Sequence, residues 1–199
     1  MRALRALTFR GVKISRRGLA GAILTYGGES ICIDSVDPSG CSIALYTHNH
    51  PGHSPPALPG IPVYSPFAGR IVAPGERLEL GKGVRLTVVH AYNISLGGAV
   101  AHPRGSGVGF LVEFPTGLRV YHAGDTDLIS EMVELRGRVD LAFLPVSGQS
   151  VMNPEEAAEA VRTLRPAIAV PVHEGGISRL RVFKRLAQPY TQVVLMEGG

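Results

Sequence analysis

The sequence predicts an α+β protein in which two mixed β-sheets face each other with helices outside. Two observations carry that expectation. Strand-turn-strand spacing fills the first half of the chain, and the second half alternates strand with helix. An alanine-rich amphipathic stretch, Asn153 to Leu164, needs a sheet to cover. The 199 residues suit a single domain, 1–199, with one sizeable core, and 45% apolar residues argue against disorder.

Residues 4 to 14 alternate apolar and polar as an outer strand does, and Gly18 to Tyr26 gives a second strand. Gly27-Gly28 marks a hairpin into Glu29 to Ser35. Asp37-Pro38-Ser39-Gly40 reads as a turn, and Cys41 to Tyr46 leads into a buried strand. Prolines between Ser54 and Gly60 exclude a regular helix there. Short strands follow around Val63, Arg70 to Val72 and Val84 to His90. The loop Ala91 to Gly107 carries Gly97-Gly98 and His102-Pro103-Arg104-Gly105, and loops of that length are usually functional. Gly109 to Phe114 and Leu118 to His122 form a hairpin, Leu128 to Leu135 has helical periodicity, and Asp140 to Pro145 is an apolar strand. Asn153-Pro154-Glu155-Glu156 starts a helix: Asn153 can cap, Pro154 fits the first helical position, and the glutamates face the positive end of the dipole. Ile168 to Val172 is a strand that delivers His173, Ser178 to Ala187 is a helix, and Val193 to Met196 closes the sheet. A weak symmetry between the two halves is suggested by the pattern, without a sequence repeat.

The formal charge is +4, with basic residues collected in Arg2 to Arg17 and Arg179 to Arg185. A solvated surface accounts for most of this excess, which mildly favours an anionic substrate or RNA. No apolar run approaches a membrane span, and no apolar block of signal-peptide length follows the N-terminus, so no membrane partner and a cytoplasmic location are expected. Cys32 and Cys41 are the only cysteines. A pair across neighbouring strands is one alternative, but in the cytoplasm they are expected as two free, half-buried thiols that serve packing.

The chemistry gathers at Thr47-His48-Asn49-His50-Pro51-Gly52-His53, which follows the apolar run Ile43 to Tyr46. A loop at a strand end can aim several imidazoles at one place, and neutral imidazole is a good zinc ligand. His102, Asp125 and His173 also stand in or beside Gly- or Pro-marked loops after apolar strands. These residues suffice for two metal sites, because the two oxygens of Asp125 can bridge two ions and supply charge beside them. His122 is expected to pack or to support a ligand, and His90 is the alternative to His102. Asp34 and Asp127 are expected to serve turns and caps. Tyr92, Asn93 and Glu174 are the expected substrate contacts.

Thr-His-x-His-x-x-His, a later ligand histidine, Gly124-Asp125-Thr126 after a strand and a final strand-end histidine together resemble the metallo-β-lactamase fold superfamily. The stretches His90-Ala91-Tyr92-Asn93, His102-Pro103, Gly107 to Phe110, Tyr121 to Asp127 and Pro171-Val172-His173 are similar to its branch of small metal-dependent hydrolases related to ascorbate-6-phosphate lactonase. The resemblance implies a four-layer αβ/βα sandwich with metals at the top edge of the two sheets. It assigns His48, His50 and His102 to one metal, His53 and His173 to the other, and Asp125 to both, with Asp125, His53 and His173 as the catalytic set. The family usually has aspartate where this chain has Gly52. The second site is therefore expected to bind more weakly, and Gly52→Asp to tighten it unless the turn needs a positive φ. The implied cofactor is zinc, one ion tight and one weaker, with manganese an alternative. The implied activity is metal-dependent hydrolysis of an ester-type bond (lactone, thioester or phosphoester) in a small, anionic substrate. A phosphodiesterase or nuclease acting on RNA or nucleotides is the second reading, disfavoured because no RNA-gripping arm is visible. A metal-binding protein without catalysis, on account of Gly52, is the third. Nothing in the sequence decides between monomer and homo-oligomer.

Overall fold

The computed structural model describes residues 3–94 and 99–198; the Gly97-Gly98 pair of the long loop lies outside them. The first sheet is built in chain order from β1 (Ala6–Phe9), β2 (Val12–Arg17), β3 (Gly21–Tyr26), β4 (Glu29–Ile33), β5 (Ile43–Leu45), β6 (Val63–Ser65) and β7 (Arg70–Ile71). The second is built from β8 (Arg77–Gly81), β9 (Val84–Ala91), β10 (Gly107–Glu113), β11 (Arg119–His122), β12 (Leu141–Pro145), β13 (Ile168–Val172) and β14 (Gln192–Val193), again side by side in chain order. Two helices, α1 (Pro154–Leu164) and α2 (Ile177–Ala187), and a 3₁₀ turn (Ser130–Leu135) complete the elements of the described residues. The expected class is borne out: two mixed sheets pack face to face with helices outside.

The suspected symmetry is plain in the pairing. In each sheet the first four strands pair antiparallel and the remaining pairings are parallel. The switch comes at the fourth strand of each half, β4 and β11. Asp34 follows β4 and Asp125 follows β11, so both carboxylates stand at a topological switch point, where the ends of neighbouring strands part and leave room for a site.

The space between the sheets holds the larger core, including Ile14, Leu24, Ile33, Leu86, Phe110, Val120, Phe143 and Val170, all fully buried. A second cluster lies outside the second sheet, where Leu111, Tyr121, Ala142 and Leu144 meet Ala157, Val161 and Leu164 of α1 and Phe183 of α2. A smaller group, Ala44, Tyr46 and Val63 with Ile61 and Phe67, covers the outside of the first sheet.

Several local expectations change in the tertiary setting. Residues 4 to 14 form a hairpin rather than one strand, because Arg10 and Gly11 take positive φ and turn the chain between β1 and β2. β8 lacks an alternation strong enough to announce it and forms by pairing with β9. The helical pattern of Leu128 to Leu135 is realised only as the 3₁₀ turn. The two cysteines are bonded to each other, with Cα atoms 5.9 Å apart, rather than free. The turn at Pro38 to Cys41 and the bond from Ser42 N–H to the Ser30 carbonyl fold residue 41 back against β4, where Cys32 waits. The expectation of thiols rested on the redox compartment alone, and the approach of residue 41 to β4 is what overturns it. No helix among the described residues is long and apolar enough to cross a membrane.

At the edge opposite the metal ligands, Asp140 ties three strands together. It accepts from the Arg119 backbone N–H and from Arg119 Nε, both at 2.9 Å, and Arg10 Nη1 reaches it from the first sheet at 3.1 Å. Burial opposes the charge on Asp140, but the Arg119 hydrogen bonds and the two guanidinium charges outweigh it and hold its carboxyl below the usual range. A lowered folded-state pKa stabilises the fold above the ordinary carboxylate value and loses that effect as pH falls through the lowered one. Asp140→Asn should therefore cost about 1–3 kcal/mol at neutral pH. Denaturant melts should show the gap between the two proteins closing as the medium is taken below about pH 4. The cap of α1 is a full capping box, with Asn153 Oδ1 accepting from Glu156 N–H and the Glu156 carboxylate accepting from Asn153 N–H. Asn153→Ala should lower the urea midpoint by an amount equivalent to about 1 kcal/mol.

Candidate metal centre

The six predicted ligands meet at the edge where both sheets end. The loop after β5 brings His48, His50 and His53, the β9–β10 loop His102, the loop after β11 Asp125, and the end of β13 His173. Asp125 Oδ2 is at the middle, 3.7 Å from His48 Nε2, 3.5 Å from His53 Nε2, 3.6 Å from His102 Nε2 and 3.4 Å from His173 Nε2. His50 joins through Nδ1, which lies 3.0 Å from His102 Nε2. His50 is exposed and His173 half-buried, whereas the other four are buried, so the centre opens on the side of those two.

Four of the imidazoles are anchored by their other nitrogen. His53 Nδ1 donates to Asp34 Oδ2 at 3.1 Å. The Thr47 hydroxyl donates to the same oxygen at 2.6 Å, which leaves it to accept from His48 Nδ1 at 2.9 Å. His102 Nδ1 donates to Asn93 Oδ1 and to the Ser150 carbonyl, both at 3.1 Å, and His173 Nδ1 shares a hydrogen bond with the Ser147 hydroxyl at 3.1 Å. The partners of His48, His53 and His102 assign the proton to Nδ1 and leave a lone pair on the inward-facing Nε2. His48 Nε2 and His53 Nε2 are buried with no hydrogen-bond partner. Buried lone pairs ringed around a carboxylate oxygen, each ring oriented from behind, are the donor set a divalent ion requires. Two groups have ligating atoms within 4.8 Å of one another: His48, His50 and His102, and His53, Asp125 and His173. A third, Asp34 with His48 and His53, is the hydrogen-bonded support just described, since Thr47 and His53 occupy the Asp34 oxygens.

Burial disfavours the charged form of three of the rings. It pushes His48 down to about 3 and His173 to about 4, and it lowers His102 as well. For His53 burial also opposes the charge, but the hydrogen bond and charge of Asp34 prevail and raise it. Burial likewise opposes ionisation of Asp34, yet the His53 bond and the surrounding imidazoles bring it to about 2. Asp125 has no such support, and burial pushes it up to about 7. A dication beside Asp125 would reverse that preference.

The supporting residues correct several expectations. Asp34 is no turn residue: it is fully buried at φ 48 and holds Thr47 N–H, the Thr47 hydroxyl and His53. Its position at a strand end, like that of Asp125, was the signal available in the sequence. Asn93 is buried and fastens His102 rather than facing substrate, with Asp127 and the Ser150 carbonyl fixing its amide. The Tyr92 hydroxyl donates to Glu131, and Arg104 lies over its ring. Glu174 is engaged with Arg16. His122 behaves as expected: Nε2 donates to the Ala20 carbonyl at 2.8 Å and Nδ1 accepts from Gly124 N–H, so it fixes the turn before Asp125. His90 stacks edge-on to Tyr92, outside the cluster, and His102 points in.

Two backbone devices hold the loops. Gly124 has φ +67, and a Cβ there would stand 2.8 Å from the Val108 carbonyl oxygen, so no other residue lets Asp125 approach the His48 loop this closely. Gly52 has φ +91, follows Pro51 and sits under a bond from His53 N–H to the His50 carbonyl at 3.1 Å. Pro followed by a positive-φ residue is the type II turn pattern, which calls for glycine at that second place. A Cβ at Gly52 would meet Leu19 Cδ2 at 3.3 Å. The proviso attached to Gly52→Asp is therefore not met, and a strained turn rather than a restored ligand is the outcome to expect. His173 is itself at φ 47. Its N–H donates to the Leu19 carbonyl at 3.1 Å, and buried Arg16 donates to that carbonyl at 2.8 Å as well as to Pro171 and Glu174 on either side of His173. Arg16 thus clamps the strained turn from across the sheets.

Comparison with known proteins agrees with this architecture. The family described as beta-lactamase superfamily domain matches residues 17–173. A UPF0173 metal-dependent hydrolase of Polaromonas sp. is 35% identical over 127 residues, 62% of this chain and 46% of its own length. One of Nitratidesulfovibrio vulgaris is 35% identical over 159 residues, 71% of this chain and 65% of its own. The chain spans about half the length of the first of these curated relatives. Among solved structures, a protein of Parabacteroides distasonis provisionally described as a metal-dependent hydrolase superposes with a TM-score of 0.86 at 27% identity, covering 98% of this chain and 99% of that one. Igni18, a metallo hydrolase of Ignicoccus hospitalis, does so with a TM-score of 0.77 at 25% identity over 94% of this chain and 96% of its own. With a match running from β2 to His173 and all the strand-end ligands inside it, the chain belongs to the beta-lactamase superfamily.

Proposed function

We propose that this protein is a metal-dependent hydrolase that cleaves an ester-type bond in a small, anionic substrate. The observation that carries the reading is the ring of four anchored Nε2 atoms around Asp125 Oδ2. In this reading His48, His50, His102 and Asp125 hold one ion tightly, and His53, His173 and Asp125 hold a second more weakly. Zinc suits the imidazole-rich donor set, and manganese is the alternative. A bound ion of this kind lowers the pKa of water and polarises a carbonyl or phosphoryl oxygen.

The chain's own residues do the positioning. Asp34, Asn93 and Ser147 fix the rings from behind, so ligand geometry is paid for on folding rather than on binding. Among the described residues Asp125 supplies the one carboxylate within 4 Å of all four Nε2 atoms. Lactones, thioesters and phosphoesters all present a polarised oxygen to such a centre. The fold supports all three and does not choose among them. Gly52 supports the weaker second site, because the turn leaves no carboxylate there.

Titration of zinc into chelator-treated protein should give two steps of unequal affinity, with hydrolysis of lactone or 4-nitrophenyl ester substrates appearing as metal is added. Two equally tight steps would contradict the ligand assignment, and no turnover of any ester, lactone or phosphodiester would favour the non-catalytic reading. Asp34→Asn should weaken zinc binding by about 10–100-fold, because His53 loses its carboxylate acceptor and the Thr47 hydroxyl that holds His48 loses the partner that orients it. A competing chromophoric chelator measures this without any substrate.

A further inference from the structure

Arg179 differs from the other cations near the centre. It stands in the first turn of α2, half-buried, a short way along the chain from His173. Among the described residues no carboxylate comes within ion-pair distance of it. The acid nearest to it on the same loop, Glu174, is already taken by Arg16.

The arginine is seated rather than loose. Its side chain passes between the two loops that flank His173. Nη1 lies 3.0 Å from the place a Cβ would occupy at Gly148, and Cδ lies 3.1 Å from the place one would occupy at Gly175. A Cβ at Gly175 would also stand 2.9 Å from Ser147 Cβ, and Ser147 is the residue that holds His173 Nδ1. The guanidinium stem and the Ser147–His173 bond therefore share one wall. Any side chain at either glycine would crowd the arginine or close the gap it fills. Gly148 and Gly175 are both exposed, so the seat lies at the surface, on the His173 side where the centre opens.

A guanidinium without a carboxylate partner among the described residues, held against the Ser147 wall that anchors His173, leaves positive charge uncompensated at the rim. Its planar fork matches the two oxygens of a carboxylate or phosphate. We propose that Arg179 is the receptor for an oxyanion of the substrate, a carboxylate or a phosphate carried a short distance from the bond that is cleaved. This rests on the hydrolase reading and names the residue that makes the substrate anionic.

The test compares native protein with Arg179→Gln and Arg179→Lys, all zinc-loaded and matched in zinc content and near-ultraviolet circular dichroism. Two esters are used, mono-4-nitrophenyl succinate and the neutral 4-nitrophenyl butyrate, and inorganic phosphate is titrated calorimetrically in parallel. The preference for the anionic ester, taken as a ratio of kcat/KM, should fall by about 10–100-fold in Arg179→Gln. Arg179→Lys, which keeps the charge without the fork, should fall between the two. Weaker phosphate binding in Arg179→Gln with an unchanged ester ratio would assign the seat to phosphate, and the converse would assign it to carboxylate. The same ratio and the same phosphate affinity in all three proteins would overturn the proposal. If the native protein cleaves neither ester, the hydrolase reading fails separately, and phosphate then decides: binding lost in Arg179→Gln sustains the oxyanion seat, and binding that is unchanged, or absent from the native protein, removes it. Should Arg179→Gln not fold, the Arg179→Lys comparison carries the same decision.

Discussion

The carboxylate of Asp34 is buried where water does not reach, and the ligand side of the molecule depends on how it is satisfied. An isolated charge in that position would be expensive, and it is tolerated because hydrogen-bond donors surround it. Thr47 supplies two of them and His53 a third. The same bonds that satisfy Asp34 decide which nitrogen of His48 and His53 carries a proton, and so which nitrogen faces the centre. Burial therefore does two things at once: it disfavours the charged form of His48, His102 and His173, and it leaves the Nε2 atoms of His48 and His53 without a partner.

The arrangement of the two sheets explains why such a centre arises at one edge. Each half of the chain lays down its strands in order and changes from antiparallel to parallel pairing at its fourth strand. The two halves face each other, which brings the two switch points together. Asp34 and Asp125 hold equivalent places in the two halves but opposite roles. Asp34 has donors on every side and stays ionised at low pH, and Asp125 has imidazole lone pairs around it and is pushed up to about 7 by burial. One carboxylate braces the ligands from behind, and the other stands among them.

The opening beside His173 has a different character from the buried wall of His48, His53 and His102. His173 takes a left-handed backbone conformation that a non-glycine residue adopts only at a cost. The Leu19 carbonyl and the Arg16 guanidinium hold it there from across the sheets, and Ser147 orients its ring. Strain, a clamp and a cation seat thus gather on the side from which a substrate would approach, as expected of loops carried on a rigid scaffold.

The sequence by itself determined which residues gather at the centre and the architecture that carries them. His48, His50, His53, His102, Asp125 and His173 are legible because metal-binding residue types recur at the ends of apolar strands, and strand ends are readable from local periodicity. The class of two facing sheets, the capping box at Asn153 and the ordinary role of His122 are local in the same sense. Asp34, Asn93, Ser147 and Arg16 were not legible as supports, because their partners lie between 9 and 158 residues away in the chain. An aspartate or asparagine after a strand reads as a turn former until another loop brings it a histidine. The Cys32–Cys41 bond and the 3₁₀ turn were decided in the same way, by which strand lay beside β4 and by how the chain crossed α1. Gly52 marks the boundary between the two kinds of information. Its presence is plain in the sequence, but only the folded turn, with φ +91 and Leu19 against it, shows that a side chain at that position would be strained.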